Sequence, residues 1–332
     1  MGTVDVGTVD VDAVQVDAVD VNAVVTGATG SFLDLLALEQ PEPDLFRGLS
    51  HEGVPLRAFG GQVAAHALVA ATSTVDPGRP VHSLHSYFIR PGDTTVLIDY
   101  HVERIRDGRS FSTRRITAVQ HDEAIFVLSA SFHRHEDSRV DHQRPAPRVG
   151  PPVDGVALFH GRAPADDPGK PYAPPDGTTE QPDERREVWA RRGFEVRVVP
   201  DLGVEDTRAD NSPAGDSPAP PARLRAWLRV TEPLPDDQHT NACALVYMSD
   251  LTLSHSILAP YGGLSSGMML TSLDHSVWFH RPFRADEWLL FDQASPSAAN
   301  ARGLAFGEVF DTQGVLVATV VQEALTRPSP GF

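Results

Sequence analysis

Asp250, Ser272 and Gln322 are polar residues set among apolar ones, and together their side chains could activate a water molecule. Asp250 closes the run Ala-Leu-Val-Tyr-Met-Ser, Ser272 opens a stretch carrying Leu273, Val277, Trp278 and Phe279, and Gln322 interrupts Val-Ala-Thr-Val-Val-Gln-Glu-Ala-Leu. A carboxylate can take a proton from water, while a hydroxyl and an amide fix the remaining hydrogen and lone pairs. Each residue alone also has a bland reading: a surface Asp, a strand Ser, an edge-strand Gln.

Two other chemistries compete. Gly263-Leu264-Ser265-Ser266-Gly267 matches the pattern of a nucleophile elbow. That device needs a buried strand before it and a helix after it, whereas Ala259-Pro260-Tyr261-Gly262 precedes it and a strand is expected to follow. His82, His85, His275 and His280 raise the question of a metal, but no tight acid–His cluster of ligand spacing accompanies them. Their recurrence fits packing and hydrogen bonding. Neither a metal nor any other cofactor is expected.

The elements that must position these residues are written twice. Ser272 to Phe283 reads as a strand ended by Arg281-Pro282, because proline cannot donate to a sheet ladder. His82-Ser83-Leu84-His85-Ser86-Tyr87-Phe88-Ile89-Arg90-Pro91 repeats its order of His-Ser, aromatics and Arg-Pro about 190 positions earlier. Arg106-Asp107-Gly108-Arg109 then matches Asn300-Ala301-Arg302-Gly303, and Ile125–Ala130 matches Val315–Val320. A repeat this long means two copies of one domain. The first copy has no acid from Gly60 to Thr72, and Phe132 stands near the place of Gln322 at the repeat offset.

In chain order, residues 3–27 form a degenerate Val/Asp pentapeptide array, read as part of a disordered tail over 1–30. Its missing glycine-rich turns set a calcium-binding repeat aside. Ser31 to Glu39 reads as a short helix capped by Ser31. Gly60 to Ala71 reads as a buried helix, followed by strands near 95–105, 110–120 and 124–134. A Pro-rich linker covers 137–185 and a second acidic, Pro-rich excursion covers 201–221. Strands near 194–199 and 224–230 follow, then a helix capped by Asp236 or Asp237 that reaches Asp250, and further strands near 288–310 and 315–326.

Composition bounds the partners. The 332 residues carry a net charge of −17, and Lys170 is the sole lysine among 28 basic residues, which argues against nucleic acid. At 41% hydrophobic residues the chain can bury a sizeable core. Cys243 stands alone, so no intramolecular disulfide forms, and it reads as a small buried hydrophobe. No apolar run of ~18 residues exists to span a membrane. The acidic start and the Pro-Ser-Pro-Gly-Phe end carry no secretory or peroxisomal address, so a cytoplasmic location is expected.

Phe59-Gly60-Gly61-Gln62, the stretch 81–93, Arg106–Phe111, Tyr247-Met248-Ser249-Asp250-Leu251, the stretch 272–283, Glu287–Leu290 and Val321-Gln322-Glu323 together resemble the acyl-CoA thioesterase II family. The likeness covers about 31–136 and 186–328, read as an N-terminal and a C-terminal domain. It implies an α+β double hotdog fold, in which each copy wraps a long helix in an antiparallel sheet. It implies hydrolysis of acyl-CoA to a free fatty acid and CoA, with Asp250, Ser272 and Gln322 holding the attacking water. A hotdog enoyl-CoA hydratase or a non-catalytic acyl-CoA-binding module is the alternative. Gly60 and Gly61, opening the first helix, are candidate oxyanion donors, because helix-N-terminal N–H groups favour negative charge. His82 and His275 join them as candidate substrate-binding residues. Arg90, Arg106, Arg109 and Arg302, at strand ends or loops, are candidate ligands for the CoA phosphates. A homo-oligomer, dimer or tetramer, is expected. The tail and the two insertions depart from the family pattern, and His66 stands where a more neutral residue is expected.

Overall fold

The computed structural model describes residues 31–49, 57–152, 193–199 and 222–329. The Val/Asp array, most of the Pro-rich stretch and the 201–221 excursion lie outside these residues.

Ser31 caps helix α1 (Phe32–Leu36), and the Asp34 side chain returns the bond to the Ser31 N–H. The helix stops before Glu39, because the chain turns extended at Ala37 and enters strand β1 (Glu39–Glu42) ahead of β2 (Leu45–Gly48). Helix α2 spans Gly60–Thr72. Its Ala64, Ala65, Ala67, Ala70 and Ala71 are all fully buried, which lets a second helix approach closely. Strands β3 (Val81–Phe88), β4 (Ile98–Asp107), β5 (Phe111–Gln120) and β6 (Glu123–His133) follow at nearly the expected places.

The second half repeats the plan. Strands β7 (Phe194–Val198) and β8 (Arg223–Val230) precede helix α3 (Gln238–Ser249), whose cap is Asp237, accepting from the Thr240 N–H at 2.8 Å. The short helix α4 (His255–Leu258) and two 3₁₀ turns lead to β9 (Met268–Ser272) and β10 (Asp274–Phe279). The strand expected over 272–283 is therefore two strands with a break at Leu273. The stretch near 288–310 is likewise a hairpin of β11 (Leu289–Ala299) and β12 (Arg302–Phe310). Asn300 and Ala301 both hold positive φ there, the geometry of a tight two-residue turn. Strand β13 (Leu316–Pro328) completes the fold.

Twelve of the thirteen strands run in the order β1-β2-β4-β5-β6-β3-β10-β13-β12-β11-β8-β7, and β9 pairs with β13. The order reads the same from both ends, so the halves meet across the antiparallel pair β3–β10. Helices α2 and α3 pack inside, antiparallel, with Gly61 of one against the Tyr247 carbonyl of the other. This is the double hotdog arrangement. Each fully buried Val, Leu or Phe contributes ~1.5–3 kcal/mol, and the shared core draws them from both halves.

Register refines the repeat. A bulge interrupts β4–β5 between Arg104 and Arg106, and another interrupts β11–β12 between Ala294 and Ser297. Aligning the pairs beyond them, Arg106–Thr113 with Ser297–Leu304, sets buried Arg114 against buried Ala305, and across the next pairing buried Ala130 against buried Gln322. The residue in the place of Gln322 is thus Ala130, not Phe132. An offset of 190 would match exposed His85 with buried His275, whereas 191 sets buried Leu84 against it.

The start of the Pro-rich stretch is docked. Gln143 bonds the Gly314 carbonyl at 2.8 Å and the Leu316 N–H at 3.0 Å, and Arg144 pairs with Glu308 at 2.6 Å. Ala146 and Val149 cover Trp227, Leu290 and Phe310, which would otherwise face water.

Candidate active site

Asp250 is the C-cap of α3, at φ −77° and ψ −9°. Gln322 sits on the inward face of β13 and is fully buried. Ser272 ends β9 opposite Ala324, so its side chain lies diagonally beside Gln322 on one face. The break at Leu273 keeps this register. The Leu273 N–H donates to the Glu323 carbonyl, the Phe88 N–H donates to the Leu273 carbonyl, and the Asp274 carboxylate accepts from the Glu323 N–H at 2.6 Å.

The three side chains meet. Gln322 Nε2 donates to Asp250 Oδ1 at 2.6 Å and to Ser272 Oγ at 2.7 Å, and Ser272 Oγ donates to Asp250 Oδ1 at 3.2 Å. Gln322 Oε1 is buried without a hydrogen-bond partner. Burial pushes the Asp250 carboxyl up to about 6, against the bonds from Gln322, Ser272 and the Gly61 backbone N–H. The C-terminal end of α3 disfavours charge there as well, while the N-terminus of α2 favours it.

Gly60 and Gly61 reach the same place from the first half, by different routes. A Cβ on Gly60 would lie 2.9 Å from both Asp250 Oδ2 and the Phe88 ring, so only glycine leaves the carboxylate its space. A Cβ on Gly61 would lie 2.6 Å from the Tyr247 carbonyl, a helix-packing restriction. The Gly61 N–H, expected as an oxyanion donor, is directed at the Asp250 carboxylate.

The other expected residues are dispersed. His82 starts β3 and bonds Ser131 Oγ at 2.8 Å. Phe88, beside Asp250, ends the same strand about 20 Å away at ~3.3 Å per residue. His275 lies behind the site and bonds Ser249 Oγ at 2.9 Å. His85 and His280 bond Ser276 and Thr319, so each of these four imidazoles has a hydroxyl partner. Among the described residues no three His, Cys, Asp or Glu gather as a metal site. Arg90 pairs with Glu123 at 3.3 Å and Arg302 with Glu323 at 2.8 Å. Arg106 lies near the end of β4 and Arg109 in the β4–β5 turn, at the His82 end of the sheet. The Gly263–Ser266 segment is a 3₁₀ turn between α4 and β9, not a strand-to-helix elbow. His66 is buried on α2, where its ring bonds the Leu35 carbonyl at 2.6 Å and the Tyr100 hydroxyl at 3.2 Å, tying α1 to α2.

Phe88 and Asp274 escaped the sequence reading as site residues, although both lie in the repeated phrases. Among the described residues the first half holds no second copy of the cluster. Ser73 is the C-cap of α2 where α3 has Asp250, and Ala130 stands for Gln322. Arg114, only 1% exposed, occupies the place of Ala305 and bonds Thr74 and Asp107.

Comparison with known proteins agrees with this geometry. A family model described as acyl-CoA thioesterase matches residues 210–325, and one described as acyl-CoA thioesterase N-terminal domain matches residues 51–133. Acyl-coenzyme A thioesterase 8 of Mus musculus is 37% identical over 299 residues, covering 89% of this chain and 88% of the relative. Acyl-CoA thioesterase 2 of Haemophilus influenzae is 36% identical over 299 residues, covering 90% and 97%. The crystal structure of an acyl-CoA thioesterase II from Mycobacterium marinum superposes with a TM-score of 0.67 at 39% identity, covering 91% of this chain and 98% of that one. On its fold and on these relatives, the chain belongs to the acyl-CoA thioesterase II family.

Proposed function

We propose that this protein hydrolyses acyl-CoA thioesters to a free fatty acid and CoA, with Asp250, Ser272 and Gln322 as the water-activating set. The observation that carries the reading is the junction of those three side chains, with one carboxylate oxygen accepting two of their bonds and the buried Gln322 Oε1 left without a partner. A water between Asp250, Ser272 Oγ and Gln322 Oε1 would give one proton to Asp250 as its oxygen attacks the carbonyl carbon. The tetrahedral intermediate then collapses with cleavage of the C–S bond, and the proton on Asp250 passes to the departing CoA thiolate. A general base of this kind contributes ~10²–10⁴-fold. The N-terminus of α2 opens beside the same carboxylate, and its Gly61 N–H favours the ionised form of Asp250 that takes the proton.

A cytoplasmic, homo-oligomeric enzyme accompanies this reading. Exposed Tyr87, Ile89, Leu304 and Phe306 support association, which light scattering would test. The function itself is tested by thiol release from a panel of acyl-CoAs, with and without EDTA. Release unaffected by EDTA is expected, and no release from any chain length would refute the reading.

A further inference from the structure

His275 is fully buried on β10, beside the site, and the chemistry above makes no use of it. The Ser249 hydroxyl donates to the Val246 carbonyl at 3.1 Å, so its hydrogen is committed. The 2.9 Å contact with His275 Nε2 therefore runs from the imidazole N–H to the Ser249 oxygen. That leaves Nδ1 as a bare lone pair, buried without a partner. Burial holds the ring neutral, with its pKa lowered to about 4.

The other half of the chain is an internal control. Thr72 on α2 bonds the Val69 carbonyl at 2.9 Å, as Ser249 bonds Val246 on α3. Leu84 pairs with Ala130, the counterpart of Gln322, so Leu84 holds the place that His275 holds beneath α3. Leu84 is also fully buried. An aliphatic side chain thus suffices for packing at this place. Only the half whose helix ends on a carboxylate carries an imidazole there, despite the desolvation cost of an unpartnered nitrogen.

We propose that His275 is a positioning residue for hydrolysis: through Ser249 it holds the last turn of α3 so that Asp250 stays against Gln322 and Ser272. The inference rests on the role proposed above for Asp250. The physical need is plain. Asp250 is the C-cap, where the regular helical bonds give way to a single tighter one from the Leu251 N–H to the Met248 carbonyl. Its ionised form is penalised by burial and gains by moving toward water. A tie to the preceding residue opposes that movement.

The test compares His275→Leu, His275→Gln, Ser249→Ala and the double variant His275→Leu/Ser249→Ala, with Asp250→Asn as reference. Misplacement of a catalytic group by about 1 Å costs up to ~10²-fold. His275→Leu is expected to fold, to lose ~10–100-fold in kcat with KM little changed, and to move the acid limb of the pH profile downward as Asp250 relaxes into water. His275→Gln, whose amide can still donate to Ser249, should recover most of kcat. Ser249→Ala should match His275→Leu, and the double variant should be no worse than either. Unchanged kcat and acid limb in folded His275→Leu, or wild-type kcat in Ser249→Ala, would overturn the proposal. If His275→Leu does not fold, Ser249→Ala and His275→Gln decide. Full activity in Asp250→Asn would instead remove the underlying role of Asp250.

Discussion

A carboxylate raised to about 6 is ionised at neutral pH yet basic enough to accept a proton, as a general base requires. Activity should therefore fall as pH drops through about 6, which a kcat/KM profile would show; an acid limb near 4 would assign the base elsewhere. Asp250→Asn should lower kcat by ~10²-fold or more. Ser272→Ala and Gln322→Ala should each cost less, and their losses should not add if all three act on one water as proposed. Stability moves the other way. A folded-state pKa above the ordinary value means that stability is lost as pH rises through about 6. The ceiling on that loss is ~3 kcal/mol at 1.36 kcal/mol per unit, reduced by the solvent that reaches Asp250. Thermal denaturation at pH 8 should accordingly find Asp250→Asn at least as stable as the parent protein.

At the scale of elements, the N-terminus of α2 separates two jobs that adjacent glycines perform. Gly60→Ala places a methyl 2.9 Å from Asp250 Oδ2 and the Phe88 ring, both side chains that can give way. It should cut kcat while leaving the melting temperature close to that of the parent. Gly61→Ala places a methyl 2.6 Å from the Tyr247 carbonyl, which is backbone and cannot move without parting α2 from α3. It should cost ~1–3 kcal/mol of stability, the usual range for overpacking. Paired melting curves and initial rates for the two variants check this; equal effects on both would show that the helix ends do not divide the work.

Across the whole molecule, one site is assembled from both halves. The second half supplies Asp250, Ser272 and Gln322, while the first supplies Gly60, the Gly61 N–H and Phe88. Residues 186–332 alone should therefore be inactive, and would also bare the β10 edge that β3 covers. Circular dichroism and an assay with and without a co-expressed 28–140 fragment check this. Full activity from the isolated half would refute a shared site. Much of this plan was legible in the residues. The repeated His-Ser-aromatic-Arg-Pro phrase announced a duplication, and Asp250, Ser272 and Gln322 stood out as polar breaks in apolar runs. Those signals are local, since periodicity and composition are written along the chain. The break at Leu273 and the Asn300-Ala301 turn were hidden, because each depends on the strand that lies alongside. The offset of the repeat could not be read to one residue, and one residue exchanges the faces of a strand. His82 and His275 look alike in sequence, yet one starts β3 far from Asp250 and the other lies beneath it. That difference is set by pairing between strands nearly two hundred residues apart, and no local pattern encodes a distance across a sheet.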